Sequence, residues 1–300
     1  MTVPIRYGIL GPAGKSGWFA KAAELDGGSE IVAENESPAE LCSVPDVDAI
    51  FIPMSDTNHY EGAKAALEAG KHVLIDAPFT RHKVGANELF MLAEKKKLFL
   101  METQKAVFMP ICSRVRELVA KGEIGSVRYI ESHTHLPYTD TWTRSLEQGG
   151  GALSLGGACP LTLIPYLLGT APSDWSGLGV NRVGEADTRC TLNFRCGDVL
   201  VNSVISLDFE LEDRLTIVGT DGRIVIPDCL EADTAVITTA RGTRRLTDQH
   251  VDSGAGVLQH AARCIADGLT SSPVLTREIT TRSVEIISSL YSQWYGDPLN

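Results

Sequence analysis

The segment from Val47 to Phe79 constrains the fold of this chain most strongly, because it carries one complete strand–loop–helix–strand pattern. Val47 and residues 49–52 form an almost continuous apolar run, which is typical of a strand buried on both faces of a parallel sheet. Apolar residues then recur at helical spacing up to Gly70, a common position for a helix-ending glycine. Residues 72–75 form the returning strand. The segment predicts a parallel sheet covered by helices.

The topology of such a sheet predicts where a site lies. In open parallel sheets, ligands bind at the carboxyl ends of the strands. Two loops follow strands within this segment, residues 53–58 and 76–78. We therefore expect both loops to border a site.

The pattern around this segment predicts two domains. Strands at 5–10, 30–33 and 98–101 alternate with amphipathic helices, which indicates an α/β, doubly wound dinucleotide-binding (Rossmann) domain over residues 1–120. The rest, 121–300, is predicted to be an α+β domain with an open, largely antiparallel sheet. Its predicted strands are 126–136, 188–195, 199–211 and a hairpin over 215–226 that turns at Asp221-Gly222, and two helices follow.

Composition and charge exclude several classes of protein. The formal net charge of −11 argues against a nucleic-acid partner, whose phosphates require a basic face. No apolar run has membrane-spanning length, and we expect a cytoplasmic protein without a signal peptide. The seven scattered cysteines contain no CxxC pair, which favours reduced thiols. His133 and His135 share a strand face, but no third ligand is evident, so no metal site is predicted.

The glycine-rich loop at 11–17 contains two competing patterns. Gly14, Lys15 and Ser16 resemble the end of a Walker A motif, but that motif needs a glycine five residues before Gly14, where Ile9 stands. The alternative is a dinucleotide fingerprint, G-x-A-x-x-S, formed by Gly11, Ala13 and Ser16 after a first strand. There the helix N-terminus offers amide donors to a pyrophosphate. A plain glycine-rich turn is the structural alternative.

Two acidic residues follow the second predicted strand. Glu34 and Glu36 stand at about the distance expected of a carboxylate that binds the adenosine ribose diol. No arginine follows them to accept a 2′-phosphate, so the pattern favours NAD over NADP. The alternative is a pair of solvated surface glutamates.

With these pieces placed, the chain resembles the glucose–fructose oxidoreductase / inositol dehydrogenase (Gfo/Idh/MocA) family, and most of all its dihydrodiol and xylose dehydrogenase branch. Five segments carry the resemblance: VDAIFIPMSDTNHYEGAKAALEAGKHVLIDAPF (47–79), ETQKAVFMP (102–110), GGGALSLGGACPLTLIPYLLG (149–169), GTDGRIVIPD (219–228) and SSPVLT (271–276).

The resemblance implies NAD(P) in the first domain, a small sugar- or polyol-like substrate between the domains, and a homo-oligomer formed through the C-terminal sheet. It implies that two sets of residues border the ligands. The cofactor set comprises Gly11, Ala13, Gly14, Lys15, Ser16, Glu34, Glu36, Met54, Ser55, His59, Asp76 and Gln104. The substrate set comprises Tyr138, Asp140, Trp142 and Arg144.

The chain departs from the family pattern where catalysis is expected. The family's lysine falls at Ala77, its aspartate at Leu155 and its tyrosine or histidine at Cys159. Oxidation of a carbinol needs a base for the hydroxyl proton, and alanine cannot hold one. Lys105 and Tyr138 are candidate substitutes. Two hypotheses follow: an oxidoreductase with non-standard catalytic groups, or a non-redox descendant that serves as a sensor, a partner subunit or an enzyme for another reaction.

Overall fold

The computed structural model describes residues 4–11, 17–53, 59–137, 141–182, 184–228, 230–248 and 251–296. The chain forms two compact units, and each is built from two segments. The first unit comprises the chain up to Lys105 together with Asp252–Val284, and the second comprises Ala106–Val251 with the segment from Glu285. The boundary at residue 120 expected from the sequence stays a prediction.

The first unit contains a parallel sheet of five strands among its described residues. The strands have the order β2-β1-β3-β4-β5 and are β1 (Ile5–Leu10), β2 (Ser29–Asn35), β3 (Ala49–Ile52), β4 (His72–Asp76) and β5 (Leu100–Thr103). The helices are α1 (Gly17–Asp26), α2 (Pro38–Cys42), α3 (His59–Glu68), α4 (Lys83–Lys96) and, later in the chain, α8 (Ser253–Ala266). All strand pairs in this sheet are parallel, as the apolar runs predict.

Helices cover both faces of this sheet. On one face, Ile50 and Ile52 belong to a core that α2, α3 and α4 complete with buried leucine, alanine and phenylalanine side chains. On the other face, the Phe51 ring stacks on Phe19 of α1 with ring centroids 4.1 Å apart. Successive strand residues point to opposite faces, so this alternation shows the doubly wound arrangement. The predicted α/β fold class is confirmed.

The second unit contains a mixed sheet of eight described strands in the order β13-β12-β11-β10-β6-β9-β8-β7. They are β6 (Val127–His135), β7 (Pro172–Val180), β8 (Arg189–Cys196), β9 (Val199–Ser206), β10 (Arg214–Gly219), β11 (Gly222–Pro227), β12 (Thr234–Thr239) and β13 (Gly242–Thr247). Only the β6–β9 pair among them is parallel. The helices α5 (Pro110–Ala120), α6 (Ala152–Gly156) and α7 (Ala158–Leu168) lie in this unit, and α9 (Arg277–Tyr295) contributes its last residues to it.

One face of this sheet is buried and the other is not. Ile130 of β6, Val201 of β9 and Ile217 of β10 point into the core, where α7 is buried along almost its whole length. The predicted α+β class of this half is confirmed, and its hairpin turns at Asp221 as expected. The strand predicted to reach residue 211 ends at Ser206, because the chain turns there and the Ser206 hydroxyl accepts a hydrogen bond from Phe209 N at 3.0 Å.

No helix in the described ranges is long and apolar enough to cross a membrane.

Candidate active site

The carboxyl edge of the five-stranded sheet has its switch point between β1 and β3, where the strand order reverses. Gly11 follows β1 with φ +152°, and a Cβ at this position would lie 3.2 Å from Pro53 Cγ, which follows β3. A glycine is therefore required at position 11, where the chain approaches Pro53. The cofactor candidates of these loops, Ala13, Gly14, Lys15, Ser16, Met54 and Ser55, lie outside the described residues.

The end of β2 reaches the same edge. Gly11 N donates to Asn35 O at 3.1 Å, so the glycine loop leaves β1 beside the last residue of β2. Glu36 follows Asn35 directly and is exposed, and Glu34, two residues earlier, is exposed as well. An exposed carboxylate at the end of β2, beside a glycine loop, fits the adenosine ribose of a dinucleotide. The described residues at this edge therefore fit the cofactor expected from the sequence.

Asp76, the last residue of β4, is a half-buried acid with several hydrogen-bond donors around it. Its Oδ1 accepts hydrogen bonds from Thr103 Oγ1 at 2.9 Å and from Ala77 N at 3.2 Å, and its Oδ2 accepts one from Trp18 Nε1 at 3.2 Å. Burial raises the pKa of Asp76 above its ordinary value, although the two side-chain hydrogen bonds and the charge of Lys105 act in the opposite direction. Asp76 thus ties β4, β5 and the start of α1 together.

His59 joins the loops that follow β3 and β4. Its Nε2 lies 2.9 Å from Pro53 O and its Nδ1 lies 3.0 Å from Pro78 O, and the side chain is buried. Both ring nitrogens face backbone carbonyls, so the His59 ring links Pro53, which follows β3, to Pro78, which follows β4.

Glu102 lies beneath the same edge, on β5, with an exposed fraction of 1%. Its Oε1 accepts a hydrogen bond from Phe79 N at 3.1 Å, and the Thr280 hydroxyl faces the same carboxyl group. Burial raises the pKa of Glu102 to about 8, and the nearby charge of Asp76 adds to the shift. The acid therefore holds its proton at neutral pH and fixes the turn after β4.

The remaining candidates of this unit follow the ends of β4 and β5. Ala77 is buried and carries no group that could transfer a proton. Gln104 and Lys105 follow β5 and are half-buried. The sequence pattern identified Asp76, but it missed Trp18, Thr103 and Glu102, because the hydrogen bonds that involve them join residues more than 20 positions apart.

In the second unit, the glycine-rich segment 149–151 leads into α6. Asp187 holds its start, since its Oδ2 accepts from Leu153 N at 2.9 Å and its backbone O accepts from Ala152 N at 2.8 Å. The Tyr291 hydroxyl accepts from Ser154 N at 2.8 Å. Burial raises the pKa of Asp187 to about 6. Sequence reasoning missed Asp187 and Tyr291, because a single acid before a strand carries no sign of burial.

The two family positions in this unit carry side chains of different exposure. Leu155 is half-buried on α6, and Cys159 is buried in the first turn of α7. Leucine cannot exchange a proton. Only the thiol of Cys159 could take part in such chemistry at these two positions.

The substrate candidates lie on the segment before α6. Tyr138 and Asp140 lie outside the described residues. Trp142 is half-buried in a short 3₁₀ turn at Thr141–Arg144, and Arg144 is exposed. Arg144 lines a pocket of about 240 Å³ together with Arg182, Arg189 and Asp208.

The two strand histidines bind neighbours within their own unit. His133 Nε2 lies 3.1 Å from Glu131 Oε1, and His135 N donates to Asp213 Oδ1 at 2.6 Å. The part of the chain that the structure describes contains no group of three or more histidine, cysteine or acidic side chains that could hold a metal ion.

Comparison with known proteins identifies the family of this chain. Residues 19–104 match a family model described as "Oxidoreductase family, NAD-binding Rossmann fold", and residues 112–225 match the "GFO/IDH/MocA C-terminal domain". The chain belongs to the Gfo/Idh/MocA family of oxidoreductases. The family and the nucleotide-binding domain predicted from the sequence are confirmed.

The chain is similar in sequence to two dehydrogenases and in fold to a solved ketoreductase. The chain is 27% identical over 250 residues to trans-1,2-dihydrobenzene-1,2-diol dehydrogenase of Xenopus laevis, covering 79% of this chain and 75% of the relative. It is 36% identical over 128 residues to D-xylose 1-dehydrogenase (NADP(+)) of Hypocrea jecorina, covering 41% and 32%. A crystal structure of a 3-ketoreductase from Actinomadura kijaniata with NADP and TDP-benzene has the same fold, with a TM-score of 0.84, 21% identity and coverage of 96% and 97%.

Proposed function

We propose that this protein is an NAD-dependent oxidoreductase that acts on a small sugar- or polyol-like compound. The observation that supports the proposal is the carboxyl edge of the five-stranded sheet of an NAD-binding domain, where Gly11 follows β1, Glu36 follows β2 and Asp76 ends β4. When bound there, a nicotinamide supplies hydride exchange with the substrate carbon. The chain's own residues bind the dinucleotide and move the proton.

The proposed cofactor residues act in different ways. Gly11 lets the chain pass close to Pro53, and His59 links Pro53 to Pro78. Glu36 accepts hydrogen bonds from the adenosine ribose diol. The name of the xylose dehydrogenase specifies NADP(+), and the ketoreductase crystal structure contains NADP. In this chain a carboxylate at the end of β2 would repel a 2′-phosphate, so we propose NAD.

The substrate class rests on the relatives. One acts on a trans-dihydrodiol, as its name states, and another acts on D-xylose. Trp142 and Arg144 remain our candidates for substrate contact, together with Tyr138 and Asp140. The non-redox alternative is favoured by Ala77 and Leu155, which remove two proton-carrying groups of the family.

Calorimetry with NADH and turnover assays separate these two functions. We expect stoichiometric NADH binding, and reduction of NAD⁺ in the presence of trans-1,2-dihydrobenzene-1,2-diol or D-xylose. Binding of NADH without turnover of either compound or of a broader polyol panel would support the non-redox descendant. A wild-type protein that does not bind NADH would end the oxidoreductase proposal.

The choice of NAD is tested by Glu36→Ala. Loss of a carboxylate that accepts hydrogen bonds from the ribose diol is expected to raise the Kd for NADH about 10- to 100-fold. The Kd for NADPH is expected to stay unchanged or fall, because a negative charge is removed. Glu30→Ala, an exposed glutamate at the opposite end of β2, is the matched control and should change neither Kd. Equal weakening of both dinucleotides by Glu36→Ala would contradict this role.

We also propose that the protein forms a homo-oligomer through the open face of its eight-stranded sheet. Tyr129 of β6 and Leu200 of β9 are direct neighbours on that face and are 37% and 58% exposed. An exposed apolar pair in the middle of a sheet is typical of a surface that a partner covers.

Sedimentation velocity tests this oligomer. Leu200→Glu is expected to weaken self-association at least about tenfold, because it places a charge in an apolar contact. Leu25→Glu on α1 changes a leucine of equal exposure, 57%, away from the sheet and should leave association unchanged. A wild-type protein that stays monomeric would contradict the proposal.

A further inference from the structure

A lysine stands one strand away from the position where the family's lysine is missing. Asp76 of β4 and Thr103 of β5 are register partners in the parallel sheet. Ala77 follows Asp76, and Lys105 follows Thr103 by two residues. Both therefore leave the sheet at the same carboxyl edge, on neighbouring strands.

The side chain of Lys105 is directed toward this edge. Its Nζ lies 5.4 Å from the centroid of the Trp18 ring, whose Nε1 donates to Asp76 Oδ2 at 3.2 Å. The positive charge of Lys105 acts on the Asp76 carboxyl group and opposes the effect of its burial. Trp18, Asp76 and Lys105 thus form one cluster, which α1, β4 and β5 bring together.

Trp18 is itself held firmly. Its ring makes edge contacts with Phe19 at 5.6 Å and with Phe51 at 5.3 Å, measured between centroids. A cation over a packed aromatic face has a defined position, while the long lysine stem keeps the ammonium near solvent. Lys105 is half-buried, in agreement with this arrangement.

Three other titratable groups of the described edge have polar partners of their own. Both oxygens of Asp76 accept hydrogen bonds, both ring nitrogens of His59 face backbone carbonyls, and Glu102 accepts a hydrogen bond from Phe79 N. Lys105 adds an amine, which can exchange a proton, to the same edge.

We propose that Lys105 is the catalytic proton-transfer residue of this site and replaces the lysine that the family carries at position 77. The inference rests on the proposed oxidoreductase function. In the direction of alcohol oxidation, the carbinol carbon loses a hydride to the nicotinamide and its O–H bond breaks as the C=O bond forms. The hydroxyl proton passes to the neutral Lys105 amine, which becomes an ammonium. In the reverse direction, the Lys105 ammonium returns that proton to the carbonyl oxygen.

The test compares three single variants. Lys105→Met and Lys105→Arg are both expected to lower kcat about 10²- to 10⁴-fold, with the NADH Kd within about threefold of wild type. Arginine keeps a cation over Trp18 but cannot release its proton at working pH. A merely structural cation would be rescued by arginine, whereas a proton-transfer group would not. Lys64→Met is the matched control, because Lys64 Nζ lies 5.7 Å from the Tyr60 ring in the same unit, and it should leave kcat unchanged.

A double variant tests the relocation itself. Adding Ala77→Lys to Lys105→Met returns a lysine to the family's position. We expect the kcat of this double variant to be at least about tenfold higher than that of Lys105→Met. A readout without dinucleotide is the tryptophan emission at one fixed pH. We expect it to change in Lys105→Met, which removes the cation over Trp18, and to stay close to wild type in Lys105→Arg.

The outcomes separate the two proposals. If wild type turns over substrate and Lys105→Met or Lys105→Arg keeps kcat within about threefold, the inference is wrong and the oxidoreductase function stands. A tryptophan emission spectrum that is identical in wild type and Lys105→Met also overturns it, because the Lys105 cation then does not lie over Trp18. If wild type binds no NADH, or binds it without turnover, the proposed function fails and the role of Lys105 fails with it.

Discussion

Replacing Gly151 with alanine is expected to lower the free energy of unfolding by about 3–5 kcal/mol. Gly151 has φ +117°, a conformation that residues with a Cβ rarely adopt. In addition, an added Cβ would collide with the Tyr291 hydroxyl and with Asp187 Oδ1. The substitution therefore adds a steric clash to backbone strain, and urea unfolding measures their sum.

Gly242→Ala separates these two effects. Gly242 has the same φ of +117°, but nothing lies within 4 Å of its added Cβ. Gly242→Ala therefore introduces backbone strain without a collision. We expect it to lower the free energy of unfolding by about 1–2 kcal/mol. The difference between the two variants then reports the collision with Asp187 and Tyr291. Equal losses in both variants would show that the Gly151 segment moves aside at no cost.

Glu102→Gln is expected to remove a large part of the pH dependence of stability. Folded Glu102 has a pKa of about 8, whereas the ordinary value is 4.5. From about pH 4.5 upward, the unfolded chain releases this proton while the folded protein keeps it. The free energy of unfolding therefore falls across this window, and the loss is complete only above about pH 8. A pKa shift of this size changes the free energy of unfolding by roughly 2–5 kcal/mol.

Glutamine is a neutral counterpart of the protonated acid, and its oxygen can still accept the hydrogen bond from Phe79 N. At pH 5 we expect wild type and Glu102→Gln to unfold at similar urea concentrations, and at pH 9 we expect the variant to be the more stable. Asp187, whose pKa is also raised by burial, titrates in both proteins and cancels in the comparison. Parallel stability curves for the two proteins would contradict the protonated state of Glu102.

The first half of the fold could be predicted because its sequence pattern is local. The pattern from Val47 to Phe79 predicts two buried strands and the helix between them. The bounds predicted for β1 are those that the structure shows. A strand buried on both faces of a sheet must be apolar throughout, so composition alone marks it.

Three strands of the second sheet, β7, β12 and β13, were not predicted, and the stability of β7 and β13 comes from their partners. β7 contains Gly177 and Gly179, which leave space for the Trp294 ring of α9. β13 is almost wholly exposed and is held by its pairing with β12. Neither strand carries an apolar alternation that a sequence pattern could reveal.

The residues of the candidate site likewise divide into those that the sequence predicts and those that only the structure brings together. The sequence by itself determined the family, the dinucleotide-binding domain, Asp76 at the end of β4 and the missing lysine at Ala77, since each depends on residue type at a fixed spacing. Only the tertiary structure decided what surrounds Asp76. Trp18 and Asp76 are 58 residues apart, and Lys105 joins them because parallel strands bring their carboxyl ends to one edge. Which side chains meet there depends on helix packing and strand register, and no local pattern records either.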